Sequence, residues 1–126
     1  MKKTILLTLL VVSSFQNINS QEKREKDLLT SRKWYIKYMK FGENKREISD
    51  KTKNENWMLF NQNGKAEITT QGIKSIEDWN FGKKHEIINI SEDGKFTEYK
   101  IEKLNESELV ISRKYLNKTT TLGLKK

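Results

Sequence analysis

The chain contains no cysteine and no proline, a single histidine and only six glycines in 126 residues. Without cysteine, a disulfide framework and a thiolate metal site are both excluded. So is lipid attachment through a cysteine at the start of an exported protein. Without proline, nothing bars any strand from the middle of a sheet. One histidine is a poor basis for a zinc site, which takes three or four ligands. The glycines are spread singly, so no glycine-rich phosphate loop exists. No apolar run approaches the ~20 residues that a membrane-spanning helix requires.

The longest apolar run is short and lies at the start. Met1-Lys2-Lys3 is cationic, Thr4 to Val12 is uncharged and apolar, and a polar stretch ends in small Ser20 before Gln21. That order is the one of a secretory signal peptide over residues 1–20. The expectation is a mature chain beginning at Gln21, exported to the periplasm or secreted, from a bacterial source. The remaining 106 residues (126 less 20) make one domain. A domain of this size buries roughly 60–65% of its unfolded surface, which leaves little room for a large cavity.

Charge is plentiful, with 25 Lys and Arg against 17 Asp and Glu. Lys2 and Lys3 leave with the signal, so the net charge of +8 falls to +6. A basic excess raises the question of nucleic acid. The lysines argue against it, because they are scattered and alternate with acids, as in Lys95, Glu98, Lys100, Glu102 and Lys103. This is the pattern of a solvated strand face. An acidic glycan, protein or lipid headgroup of the cell envelope is the better anionic partner.

Residues 21–30 have helical composition and end in Leu28-Leu29, which suits a short helix capping one end of a core. From Ser31 the apolar pattern has period two. Arg32 to Phe41 is a strand with Trp34, Ile36 and Tyr38 on one face and Tyr35, Lys37 and Met39 on the other. Gly42 to Asn56 is polar and is expected to be a long loop, partly helical. Strands follow over 57–60, 65–71, 76–81, 85–90, 95–104, 108–116 and 119–124. Asn63-Gly64 and Asp93-Gly94 mark tight hairpins, since such pairs supply the positive φ those turns need. About eight short strands joined by short turns predict an all-β, up-and-down meander closed into a barrel.

Leu28-Leu29 before Trp34, Trp57-x-x-Phe60 before Asn63-Gly64-Lys65, Trp79-x-Phe81, Tyr99-x-Ile101-x-x-Leu104 and Glu108-Leu109-Val110-Ile111 form a run of landmarks. Together they resemble the small lipocalin-like domains of exported bacterial proteins, especially of Bacteroidetes type. The resemblance spans residues 28–124. It departs at Ser31, where the family usually has glycine, and at Glu77-Asp78, where it often has Gly-Thr. It implies a small antiparallel barrel, hollow in some members, most of which have no assigned ligand. It also implies a tryptophan closed over by an arginine, for which Trp34 and Arg113 stand as the candidates, as fold residues before binding residues.

No motif declares chemistry. His85 is expected on an exposed strand edge. Glu77-Asp78 and Glu92-Asp93 are adjacent pairs, which in a strand point to opposite faces and cannot flank one bond. No Gly-x-Ser-x-Gly nucleophile elbow occurs. Asn89, Asn105 and Asn117 head glycosylation-like triplets that an Asn-rich bacterial chain contains by chance. No catalytic residue, metal ligand or cofactor is therefore expected. The remaining candidates are strand aromatics, which fill small cores and also line ligand mouths. Trp34, Tyr38, Trp57, Trp79, Tyr99 and Arg113 are the candidate ligand-binding residues for a small apolar or amphipathic molecule. The alternative is an envelope module that grips an acidic protein or glycan through a basic face. Neither reading includes nucleic acid or a membrane span after signal removal.

Overall fold

The computed structural model describes residues 23–82 and 85–126, so the expected signal peptide lies outside the described residues. A helix, α1, covers residues 23–30. Nine strands follow: β1 (Trp34–Phe41), β2 (Asn44–Glu47), β3 (Trp57–Phe60), β4 (Lys65–Thr70), β5 (Ile73–Phe81), β6 (Ile87–Glu92), β7 (Lys95–Leu104), β8 (Glu108–Tyr115) and β9 (Lys118–Lys125). A 3₁₀ helix, η1, occupies Asp50–Glu55. Consecutive strands from β3 to β9 pair antiparallel, and β9 returns to pair with β1 from Tyr35↔Lys125 to Phe41↔Thr120. Eight strands thus close an all-β, lipocalin-like barrel, and β2 is an added ninth. Among the described residues no helix is long and apolar enough to cross a membrane.

Two ends differ. Three turns at one end place both central residues at positive φ: Gln71-Gly72 (51°, 81°), Asp93-Gly94 (51°, 80°) and Leu116-Asn117 (48°, 67°). These are the two-residue hairpin turns whose backbone matches strand twist. They share their end with Phe41 and the Gly42 turn, opposite the end that α1 covers, and it is termed the open end. At the other end lie the 61–64 and 105–107 turns, with α1 packed across them. There Leu29 is fully buried, and Trp34 Nε1–H donates to its carbonyl at 2.9 Å. Trp34, Phe60, Ile88, Ile90, Leu109, Ile111 and Leu124 complete the buried centre. Each such side chain contributes about 1.5–3 kcal/mol by leaving water.

The segment expected to be a loop, 42–56, carries structure. β2 pairs with β1 over Tyr38–Phe41, beyond the short stretch where β3 pairs with Trp34 and Tyr35. η1 then seals the gap between these partners. The Asn56 carbonyl accepts from Ile36 N–H at 3.0 Å, and Asn56 Oδ1 accepts from Gln71 N–H at 3.1 Å. Lys37 Nζ donates to Asp50 Oδ1 at 2.9 Å, and this bond holds the Asp50 carboxyl below its ordinary value. Polar residues form structure here because each is tied to a neighbouring strand, not because an apolar face is buried.

The faces of β1 also depart from expectation. A bulge between Ile36 and Tyr38 inserts Lys37 as an extra residue. Alternation therefore reverses: Trp34 and Ile36 point inward, then Met39 joins the core while Tyr38 turns to the outer surface. β5 begins at Ile73, three residues earlier than the pattern suggested. His85 lies in the connection between β5 and β6, with φ 58°. It is half-buried, not on an exposed strand edge, and its ring meets Phe81 edge-on at 5.1 Å.

Candidate functional site

The inward positions near the open end hold a cluster of polar side chains. Ile88, Ile90 and Glu92 share one face of β6, and the first two are fully buried. Opposite them, Thr97 and Tyr99 pair with Ile90 and Ile88. Arg113 continues the inward face of Leu109 and Ile111 on β8. Glu92 joins the three. Its Oε1 accepts from the Tyr99 hydroxyl at 2.6 Å. Its Oε2 accepts from Arg113 Nη1 at 3.2 Å and from Thr97 Oγ1 at 3.3 Å. The Arg113 guanidinium also stands 6.0 Å from the Tyr99 ring centroid.

This cluster is electrically balanced, one guanidinium against one carboxylate. It is not sealed: the Arg113 side chain is 34% exposed and that of Glu92 42%. Tyr99 is buried below them. Burial first, then donation to Glu92 and the charge of Glu92, push the Tyr99 phenol well above its ordinary value of 10.0. It remains a neutral donor throughout the physiological range. Arg113 carries five N–H donors and spends few of them on Glu92, so donors remain for an acceptor entering the mouth. Above the cluster, alternation places Phe41, Ile73 and Tyr115 on the inward side of the rim, and all three are exposed.

The six candidate residues separate into three groups. Tyr99 and Arg113 meet in the cluster. Trp34 and Trp79 belong to the filled, closed end. Trp79 Nε1–H donates to the Asn61 carbonyl at 2.8 Å, and its ring packs edge-on against Phe60 at 5.3 Å and Phe81 at 5.4 Å. Tyr38 and Trp57 are on the outer surface. Trp57 is 9% exposed because η1 and Lys33 cover it, its Nε1–H donating to the Asn54 carbonyl at 3.1 Å and the Lys33 ammonium 4.2 Å above its ring. Trp57 and Phe60 are three apart in one strand, so they cannot share a face.

Comparison with family models, curated proteins and solved structures finds no match.

The expected arginine-over-tryptophan closure does not form. Arg113 is level with Thr120 and Phe41, at the open end, whereas Trp34 starts β1 at the closed end. Six ladder levels separate them once the bulged Lys37 is discounted, roughly 20 Å at 3.3 Å per residue. Arg113 instead lies over Tyr99. Glu92 and Thr97 were missed by the sequence analysis. The signal for Glu92 was its phase, a carboxylate two residues beyond Ile90 on an inward stripe.

Proposed function

We propose that this chain is an exported, non-enzymatic lipocalin-like protein that binds a small amphipathic molecule in the open mouth of its barrel. The observation that carries the reading is the partly exposed Glu92–Tyr99–Arg113 cluster beneath Phe41, Ile73 and Tyr115. An acceptor group of the ligand takes the unused Arg113 donors, and its carbon skeleton lies against the apolar rim. Such a site is small. At about −0.3 kcal/mol per atom, a ligand of about twenty atoms reaches roughly −6 kcal/mol, a Kd in the tens of micromolar. Export is supported by the cationic start and short apolar run of residues 1–12.

Native mass spectrometry of protein purified from the envelope of its own host is the test. The expected result is a small adduct that leaves on denaturation and is lost in Arg113→Ala. A bare mass for the wild type, with no perturbation of Tyr99 by any amphipathic candidate, overturns the reading.

A further inference from the structure

We infer that the open end of the barrel is a docking face for an anionic lipid bilayer. Six large apolar side chains are exposed among the described residues: Phe41, Ile73, Ile76, Phe96, Tyr115 and Leu116. All but Ile76 lie at the open end, at the end of β1, the start of β5, the start of β7 and the β8–β9 turn. Hairpin tips on one end of a barrel reach furthest along its axis, so they can meet one plane together. The closed end presents no exposed large apolar side chain among the described residues.

Charge accompanies these tips. Lys40 adjoins Phe41, Lys95 adjoins Phe96, and Lys114 and Lys118 flank Tyr115 and Leu116. These four lysines are exposed and make no ion pair among the described residues. Among the described residues Glu43, Asp93 and Glu55, the last beside Gly72, oppose them at this rim, since Glu92 is matched by Arg113 and Lys74 by Glu67. Apolar tips ringed by cations fit a surface that offers anionic headgroups above hydrocarbon. A second copy of the chain is a poor occupant, because it would bring the same lysines against these. An acidic glycan or protein would engage the lysines and leave the apolar tips in water. The inference does not depend on a ligand in the mouth.

The test uses protein exported by cells expressing the full chain, with vesicles of phosphatidylcholine with and without phosphatidylglycerol. Binding is expected only with the anionic lipid and is expected to weaken with salt. The combined variant Lys95→Glu, Lys114→Glu, Lys118→Glu is expected to bind at least on the order of a hundredfold more weakly, about fivefold per lysine. The control Arg32→Glu, Lys125→Glu, Lys126→Glu makes the same charge change at the closed end and is expected to retain binding. Insertion is read from Leu116→Trp, whose new indole is expected to be quenched by brominated lipid, whereas Trp34, Trp57 and Trp79 are buried. Failure to bind anionic vesicles overturns the inference. So does equal loss in both charge variants, an introduced indole that stays unquenched in bound protein, or a dimer in solution that protects the rim. Retained circular dichroism in each variant separates a lost surface from a lost fold.

Discussion

The ring of Tyr38 lies across the bare Cα of Gly123. The two are cross-strand partners on β1 and β9, and a methyl group at Gly123 would meet Tyr38 Cε1 at 2.0 Å. The pairing exists because the bulge at Lys37 turns Tyr38 outward, where Lys45 caps its ring at 4.5 Å. Gly123→Ala is therefore expected to push the ring aside and destabilise the protein by about 1–3 kcal/mol. Tyr38→Ala in the same background should recover part of that loss. A double-mutant cycle of urea unfolding checks it; simple additivity would show that the two residues do not compete for the same space.

Tyr99 ties stability to alkaline pH. Its phenol is held above its ordinary 10.0 in the folded state, by burial and by Glu92, but not in the unfolded chain. Above pH 10 the unfolded chain releases this proton while the folded one keeps it. Stability attributable to Tyr99 is thus fully present below pH 10 and is lost as pH rises beyond it. Glu92→Gln should bring the phenol down towards its ordinary value. Ultraviolet titration of tyrosinate absorbance in wild type, Glu92→Gln and Tyr99→Phe measures this directly.

Leu116 occupies the left-handed region at φ 48° in the β8–β9 turn, and it is 80% exposed. A branched apolar side chain so exposed adds no packing to the fold and costs about 1–2 kcal/mol in backbone strain. Replacing Leu116-Asn117 by Asn-Gly should stabilise the barrel by a comparable amount. The thermal midpoint is the readout. An unchanged or lower midpoint would mean the strain is absorbed elsewhere. The same exchange removes one rim tip, so vesicle binding should fall while stability rises.

Asn56 is a buried amide that joins three elements. Besides accepting from Gln71, its Nδ2–H donates to the Thr52 carbonyl at 3.2 Å. Asn56→Ala leaves a strand-turn N–H without its acceptor and is expected to cost about 1–3 kcal/mol. Hydrogen exchange should show the loss at Gln71 and Gly72 first, since Gly72 N–H donates to Glu55 at the end of the same segment.

How far the fold was legible depended on whether a feature is written locally. Asp93-Gly94 announced its turn because both positions take positive φ, and Asn63-Gly64 because Gly64 does, though the turn there is a longer one over Asn61 to Gly64. The long run of alternating strands announced the barrel for the same local reason. The Lys37 bulge was not legible: Trp34-x-Ile36-x-Tyr38 is an unbroken alternation, and only the register against β9 shows that it breaks. Trp57 misled because an outward tryptophan covered by η1 looks, in sequence, like an inward one. The candidate site was half legible. Tyr99 and Arg113 were marked by their residue types, but their meeting depends on Glu92, a carboxylate whose partners lie on two other strands.

Barrel closure carries a consequence for how the chain reaches this state. β1 and β9 are joined at Tyr35 and Lys125, about ninety residues apart, so the earliest strand to be made waits for the latest. Until β9 arrives, β1 and β8 both expose unpaired edges, the feature that recruits other chains into aggregates. Contacts so distant in sequence place folding in the slow, millisecond-to-second class. The absence of proline removes the slower isomerisation phase of tens of seconds that would otherwise prolong that exposure. A chain cut short before Lys118 should consequently be found in inclusion bodies and not as a partly formed barrel.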